Sequence, residues 1–212
     1  MKLYIVRHGT TDWNVQCRLQ GRSDIDLNEK GRCLAVNLGK KLEKVNFDCI
    51  YSSPLNRAYE TASLIRGNKN IQIIKNDLLT EIGFGELEGI VFDDWMKTEL
   101  PRKYFFSEPL KYVPPKGGET FEEICTRTKK FVQTEIEPKY NQNYDSCYMI
   151  VAHGALIASM ICYLENHGIE DFWGNGPINN CEEIIYNYDG KIWKNISPKQ
   201  QFCENPYTKN LH

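Results

Sequence analysis

Three short apolar runs in this chain each end in a polar cluster, and a helical pattern follows each one. Leu3-Tyr4-Ile5-Val6 runs into Arg7-His8-Gly9, Cys49-Ile50-Tyr51 into Ser52-Ser53-Pro54, and Cys147-Tyr148-Met149-Ile150-Val151 into Ala152-His153-Gly154. Runs this short and this apolar read as strands buried on both faces. Residues 71–74 are a weaker strand candidate, and 183–188 with 192–196 can form a hairpin around Asp189-Gly190.

Helices fall between the runs. Asn28 can cap one whose apolar positions Leu34, Leu38, Leu42 and Val45 keep near four-residue spacing. Ser53-Pro54 reads as a cap and a first-turn proline ahead of Leu55, Ala58, Tyr59, Ala62 and Ile65. Thr120 with Glu123 spells a capping box, and Gly154 opens a helix running to Leu164. Strands alternating with amphipathic helices predict an α/β domain with a mainly parallel sheet. One domain over 1–212 is the expectation, interrupted at 92–118 by an aromatic, proline-bearing segment with no strand pattern, read as an inserted lid.

Lys and Arg number 26 against 28 Asp and Glu, a formal net charge of −2, so no basic excess attracts nucleic acid or an anionic membrane. The longest apolar stretch, 150–164, contains His153 and is shorter than the ~18–20 residues a membrane span needs. The eight cysteines, Cys17, Cys33, Cys49, Cys125, Cys147, Cys162, Cys181 and Cys203, include no C-x-x-C pair, and no secretory signal precedes the first strand. The expectation is a cytoplasmic protein with reduced thiols.

In an open α/β sheet, ligands bind beyond the carboxyl ends of the strands. Parallel strands would therefore gather Arg7, His8, Arg57 and His153 at one edge. Two guanidiniums and two imidazoles suit a phosphate dianion, because arginine presents a fork matched to its oxygens. The helix opening at Gly154 would add amides and its positive end. A metal site is the rival reading of the two histidines, but no H-x-x-x-H or carboxylate-rich spacing accompanies them. The glycines of 83–89 do not fit a dinucleotide fingerprint, and no Walker loop occurs.

Arg7-His8-Gly9-Thr10-Thr11-Asp12-Trp13-Asn14 resembles the R-H-G-x-T-x-x-N signature of the histidine phosphatase superfamily, also called the phosphoglycerate mutase-like family. The likeness continues, in family order, through Leu19-Gln20-Gly21, Asp26-Leu27-Asn28, Gly31, Ser52 to Ala58 and on to Thr61-Ala62, Glu81 with Gly85 to Gly89, Gly117-Gly118-Glu119-Thr120 and Val151-Ala152-His153-Gly154. The resemblance implies a three-layer α/β/α sandwich and phosphoryl transfer through a phosphohistidine, with no metal and no cofactor. His8 would be the nucleophile and Glu81 the general acid, with Glu86 and Glu88 as competitors for that role. Arg7, Arg57 and His153 would hold the phosphoryl oxygens, and Asn14, Gln20, Gly21 and Gly154 would line the substrate site.

The cofactor-dependent mutases of the family carry N-E-R-H-Y-G where this chain reads Thr80-Glu81-Ile82-Gly83-Phe84-Gly85, so the likeness favours the phosphatase branch. A mutase remains the alternative, and a non-catalytic phosphoprotein-binding module is the reading from another class. The partner expected is a small phosphate ester, with Trp95, Tyr104, Phe105, Phe106 and Tyr112 offering apolar walls to it. Lys97, Arg102, Lys103, Lys111 and Lys116 offer cations in the same segment. The oligomeric state is left open.

Overall fold

The first apolar run forms strand β1 (Lys2–Arg7), and its side chains divide between the two faces of the sheet with period two. The computed structural model describes residues 1–97, 100–174 and 176–198, without the side chains of residues 96 and 100–103. After β1 come α1 (Asp12–Val15), α2 (Glu29–Lys41), β2 (Cys49–Ser52), α3 (Asn56–Arg66) and β3 (Ile73–Lys75). Residues 92–118 hold α4 (Phe92–Met96) and α5 (Leu100–Ser107); α6 (Phe121–Phe131) follows and continues through a π-turn into α7 (Glu137–Tyr140). The chain then forms β4 (Cys147–Ala152), α8 (Gly154–Glu165), β5 (Glu183–Tyr188) and β6 (Trp193–Asn195).

The sheet has six strands in the order β3-β2-β4-β1-β5-β6. The first four are parallel, with Ile5 opposite Ile150 and Tyr51 opposite Ile150, while β5 and β6 form an antiparallel edge. On one face Tyr4, Val6, Ile50, Met149 and Val151 pack against Ala35 and Leu38 of α2 and Ala58 and Ala62 of α3. On the other, Leu3, Ile5, Tyr51 and Ile150 pack against Ile124 and Phe131 of α6 and Leu156 and Met160 of α8. The result is the mixed α/β three-layer arrangement. Among the described residues no helix is long and apolar enough to cross a membrane. The seven cysteines described are free thiols, and Cys203 lies outside the described residues.

Two helix boundaries differ from the sequence expectation. Helix α2 stops at Lys41 rather than running through Val45, because the Lys69 ammonium reaches the carbonyls of Leu42, Glu43 and Val45 and offers them a partner outside the helix. Ser53 is not the cap of α3. That helix starts at Asn56, whose amide donates to Asp24 Oδ1 at 2.7 Å, and Ser53 Oγ is drawn instead to His153 Nε2 at 2.8 Å. The capping box at Thr120 and Glu123 forms as read, and Thr11 with Asn14 makes a second one.

Segment 92–118 is not a detached flap. Trp95, Phe105 and Tyr112 are buried and join the same apolar cluster as the sheet face below. Phe105 stacks on Phe121 of α6 at 5.0 Å between centroids and meets Tyr112 edge-on at 4.9 Å.

Candidate active site

His8 sits where β1 leaves the sheet, with its amide donating to Ala152 O at 2.9 Å across from β4. Its Nδ1 lies 2.7 Å from Gly9 O, and a carbonyl can only accept, so Nδ1 carries the proton and Nε2 keeps a lone pair. The backbone here is held on three sides. Gly9 N–H donates to Thr61 Oγ1 (2.9 Å), Asn180 Nδ2 to His8 O (2.8 Å), and Cys181 N–H to Arg7 O (2.9 Å). Gly9 itself passes so close to α2 that a Cβ there would lie 2.7 Å from Gly31 O.

Arg57, in the first turn of α3, is fully buried. Burial pushes its guanidinium down to about 10, opposed by Glu81, Asp24 and Glu88, so it remains a cation at neutral pH. Its Nη1 and Nη2 each donate at 2.7 Å, to Ser23 O and Gly21 O, and Nε has no hydrogen-bond partner. Arg7 Nη1 donates to Ile178 O at 2.8 Å. His153 is also buried, with its ring centroid 5.1 Å from that of His8 and its Nδ1 without a partner.

Burial drives both imidazoles well below the ordinary histidine range. Arg57 and Arg7 push His8 further down against its hydrogen bond to Gly9, and for His153 the added push comes from Arg57, His8, Arg127 and Arg7. Both rings are therefore neutral at pH 7. An unfolded chain protonates its histidines below about pH 6.5 while the folded one resists, so stability rises with pH in that window and falls on acidification. Thermal denaturation between pH ~7 and ~5.5 should show that loss, approaching about 1.4 kcal/mol per pH unit for each histidine. A flat profile there would contradict neutral, buried rings.

Glu81 occupies the N-terminus of α8. Its Oε1 accepts from Leu156 N–H (3.1 Å) and Ile82 N–H (2.9 Å), and its Oε2 accepts from Ala155 N–H (3.2 Å). This corrects the expectation that the α8 amides are offered to phosphate: two of them hold the carboxylate instead. A Cβ placed on Gly154 would lie 3.7 Å from Glu81 Oε2 and 3.8 Å from Arg7 Cζ, so the glycine lets acid and arginine approach each other. The Glu81 carbonyl is braced by Arg127, which donates to it at 3.1 Å, to Leu78 O at 2.7 Å, and to both Glu119 carboxylate oxygens. Glu88 binds the amides of Arg22 and Phe84 and the hydroxyl of Ser23, and neither it nor Glu86 lines the cavity.

The cavity at this edge is lined by Arg7, His8, Asn14, Gln20, Gly21, Arg57, Glu81 and Gly154. His153 is not part of that lining, but its ring centroid lies 5.1 Å from that of His8, with Nδ1 unpartnered. Asn14 Oδ1 is tied to Thr11 N–H and Oγ1–H, which leaves its amide NH₂ as the end able to donate to a ligand. Gln20 is buried with Oε1 unpartnered. Among the described residues no group of three or more His, Cys, Asp or Glu side chains could hold a metal ion.

The lid residues divide differently from expectation. Phe105 and Phe106 line the cavity, joined by Phe84, Phe92 and Trp173, whereas Trp95 and Tyr112 turn into the core beneath them and Tyr104 does not reach the lining. Lys97 pairs with Asp94 and Lys111 with Glu108, and with Lys116 they stay out of the cavity. The side chains of Arg102 and Lys103 lie outside the described residues. Arg18, Asn180, Trp173 and the Arg127–Glu119 pair escaped the sequence reading. Arg18, between Asn14 and Gln20, and Glu119, within the 117–120 motif, had a local signal.

The family model for the histidine phosphatase superfamily (branch 1) matches residues 3–198. The chain belongs to that superfamily. Among its relatives, this superfamily member is 34% identical over 188 residues to phosphoserine phosphatase 1 of Hydrogenobacter thermophilus, covering 88% of this chain and 86% of that one. It is also 34% identical over 177 residues to the 2,3-bisphosphoglycerate-dependent phosphoglycerate mutase of Cytophaga hutchinsonii, covering 80% and 79%. The structure of Bacillus stearothermophilus YhfR superposes with a TM-score of 0.84 at 32% identity, over 92% of this chain and 95% of that one.

Proposed function

We propose that this histidine phosphatase is a phosphomonoesterase that needs no metal and passes its phosphoryl group through His8. The observation that carries the reading is the 2.7 Å contact from His8 Nδ1 to Gly9 O, which leaves Nε2 as a nucleophile in a cavity that also holds Arg7, Arg57 and Glu81. Nε2 attacks phosphorus as the P–O ester bond breaks, and a protonated Glu81 gives its proton to the departing oxygen. Water then attacks phosphorus, Glu81 takes the water's proton, and the N–P bond breaks to release phosphate. Arg7, Arg57 and His153 bind the non-bridging oxygens, and Asn14, Gln20, Gly21 and Gly154 complete the site. Residues 1–212 act as one domain, on a small phosphate ester in the cytoplasm.

Named relatives include both phosphatases and mutases, so similarity alone does not choose between them. A mutase must hold a second charged group while its intermediate turns over. The positions where mutases carry Arg-His are Ile82 and Gly83 here, and Ile82 lines the cavity as an apolar wall. That favours hydrolysis.

The test is turnover of p-nitrophenyl phosphate in EDTA, with 3-phosphoglycerate mutase activity assayed alongside. Hydrolysis should continue at an almost unchanged rate, and vanadate should block it by occupying the phosphate site. Loss in EDTA restored by one divalent ion would overturn the metal-free reading. Mutase turnover exceeding hydrolysis would install the second reading, and phosphate-ester binding without turnover would make the chain a binding module.

A further inference from the structure

We infer that the alcohol or phenol half of the substrate is apolar and aromatic; the inference rests on the phosphatase reading above and specifies its substrate class. Beyond the phosphate-binding groups, the cavity is faced by Phe84, Phe92, Phe105, Phe106, Trp173 and Pro177. These come from three separate parts of the chain, and covering segment 92–118 supplies half of them. Phe106 and Trp173 lie 4.6 Å apart between centroids at 37°, forming a continuous ring surface. The one polar atom in that surface is already engaged: Trp173 Nε1–H donates to Phe105 O at 2.7 Å. The wall therefore offers carbon and no hydrogen-bond donor.

A serine or glycerate half would bring a carboxylate against this wall, where its lost hydration is not replaced. Arg18 is the remaining cation among the described lining residues, and two of its three guanidinium nitrogens are already engaged, Nη1 by Gly89 O and Nε by Gln16 Oε1, each at 2.7 Å. A phenyl or larger ring would instead cover Phe106 and Trp173 and be covered by them.

The decisive comparison is kcat/KM for 2-phenylethyl phosphate against O-phosphoserine. Both are primary alkyl esters, and the serine alkoxide is the better leaving group, so chemistry alone would favour phosphoserine. The expected result is a preference for the phenylethyl ester of about tenfold or more, the order given by burying one ring. Trp173→Ala should remove most of that preference, and Trp173→Phe should retain it. Phe106→Ser gives the same readout if Trp173→Ala does not fold. Phosphoserine leading in the wild type would overturn the inference and make Arg18 the anchor of a carboxylate. Equal losses on both esters in the Trp173→Ala variant would overturn it too. Failure of the underlying phosphatase reading looks different, since then neither ester nor p-nitrophenyl phosphate is turned over.

Discussion

In the His8→Ala variant, turnover and acid-labile phosphate on the protein should vanish together. Both require the same N–P bond, and of the two neighbouring histidines only His8 lines the cavity. Nδ1 is committed to Gly9 O, which leaves Nε2, while the Nε2 of the neighbouring His153 is held by Ser53 Oγ. Rapid-quench labelling with a ³²P-labelled ester reads the bond directly. Substantial labelling in the variant would move the nucleophile to His153. Because His8 is nearly buried, the variant's melting temperature belongs beside the kinetics, to show that the lost activity is lost chemistry.

Glu81→Gln should slow phosphorylation by an alkyl ester by roughly 10²–10⁴-fold, the usual range for acid–base catalysis. Phosphorylation by p-nitrophenyl phosphate should change far less, because p-nitrophenolate departs without a proton. Pre-steady-state rates are needed, since Glu81 also assists the shared hydrolysis step and would mask the difference at steady state. The glutamine side chain still offers one carbonyl oxygen to the α8 amides, but its NH₂ cannot accept, so one of the contacts to Leu156 and Ile82 or to Ala155 must give way. If both substrates lose equal phosphorylation rate, Glu81 serves only as a structural cap on α8 and is not the acid for the leaving group.

Local pattern carried the local parts of this fold. The strand ends at Arg7, Ser52 and Ala152 were legible because buried parallel strands are short apolar runs, and parallel order alone brings their carboxyl ends to one edge. The Thr120–Glu123 box was legible because both of its bonds lie within one turn. What escaped notice depends on contacts between distant segments. Asn180 reaches a carbonyl 172 residues away at His8, and nothing in its neighbours marks it. Ser53 looked like a helix cap because its rival partner, His153, is 100 residues distant. The aromatics of 92–118 were recognisable as a group, but pattern could not say that Phe105 and Phe106 face the cavity while Trp95 and Tyr112 face the core. Helical periodicity is weak evidence in pieces of one or two turns.

The merging of Trp95, Phe105 and Phe121 into the sheet's own apolar cluster bears on how substrate comes and goes. Swinging the described part of the cover away would return those three rings to water, at about 1.5–3 kcal/mol each. Their combined penalty of about 5–9 kcal/mol would leave the opened form at roughly one molecule in 10³ to 10⁶. Exchange through such a rare state would throttle turnover. Traffic is better served by the standing opening of the cavity, with the vessel keeping its shape through every cycle. Release of phosphate is then a matter of breaking ionic contacts with two arginines, and it should quicken with added salt rather than with solvents that loosen aromatic packing.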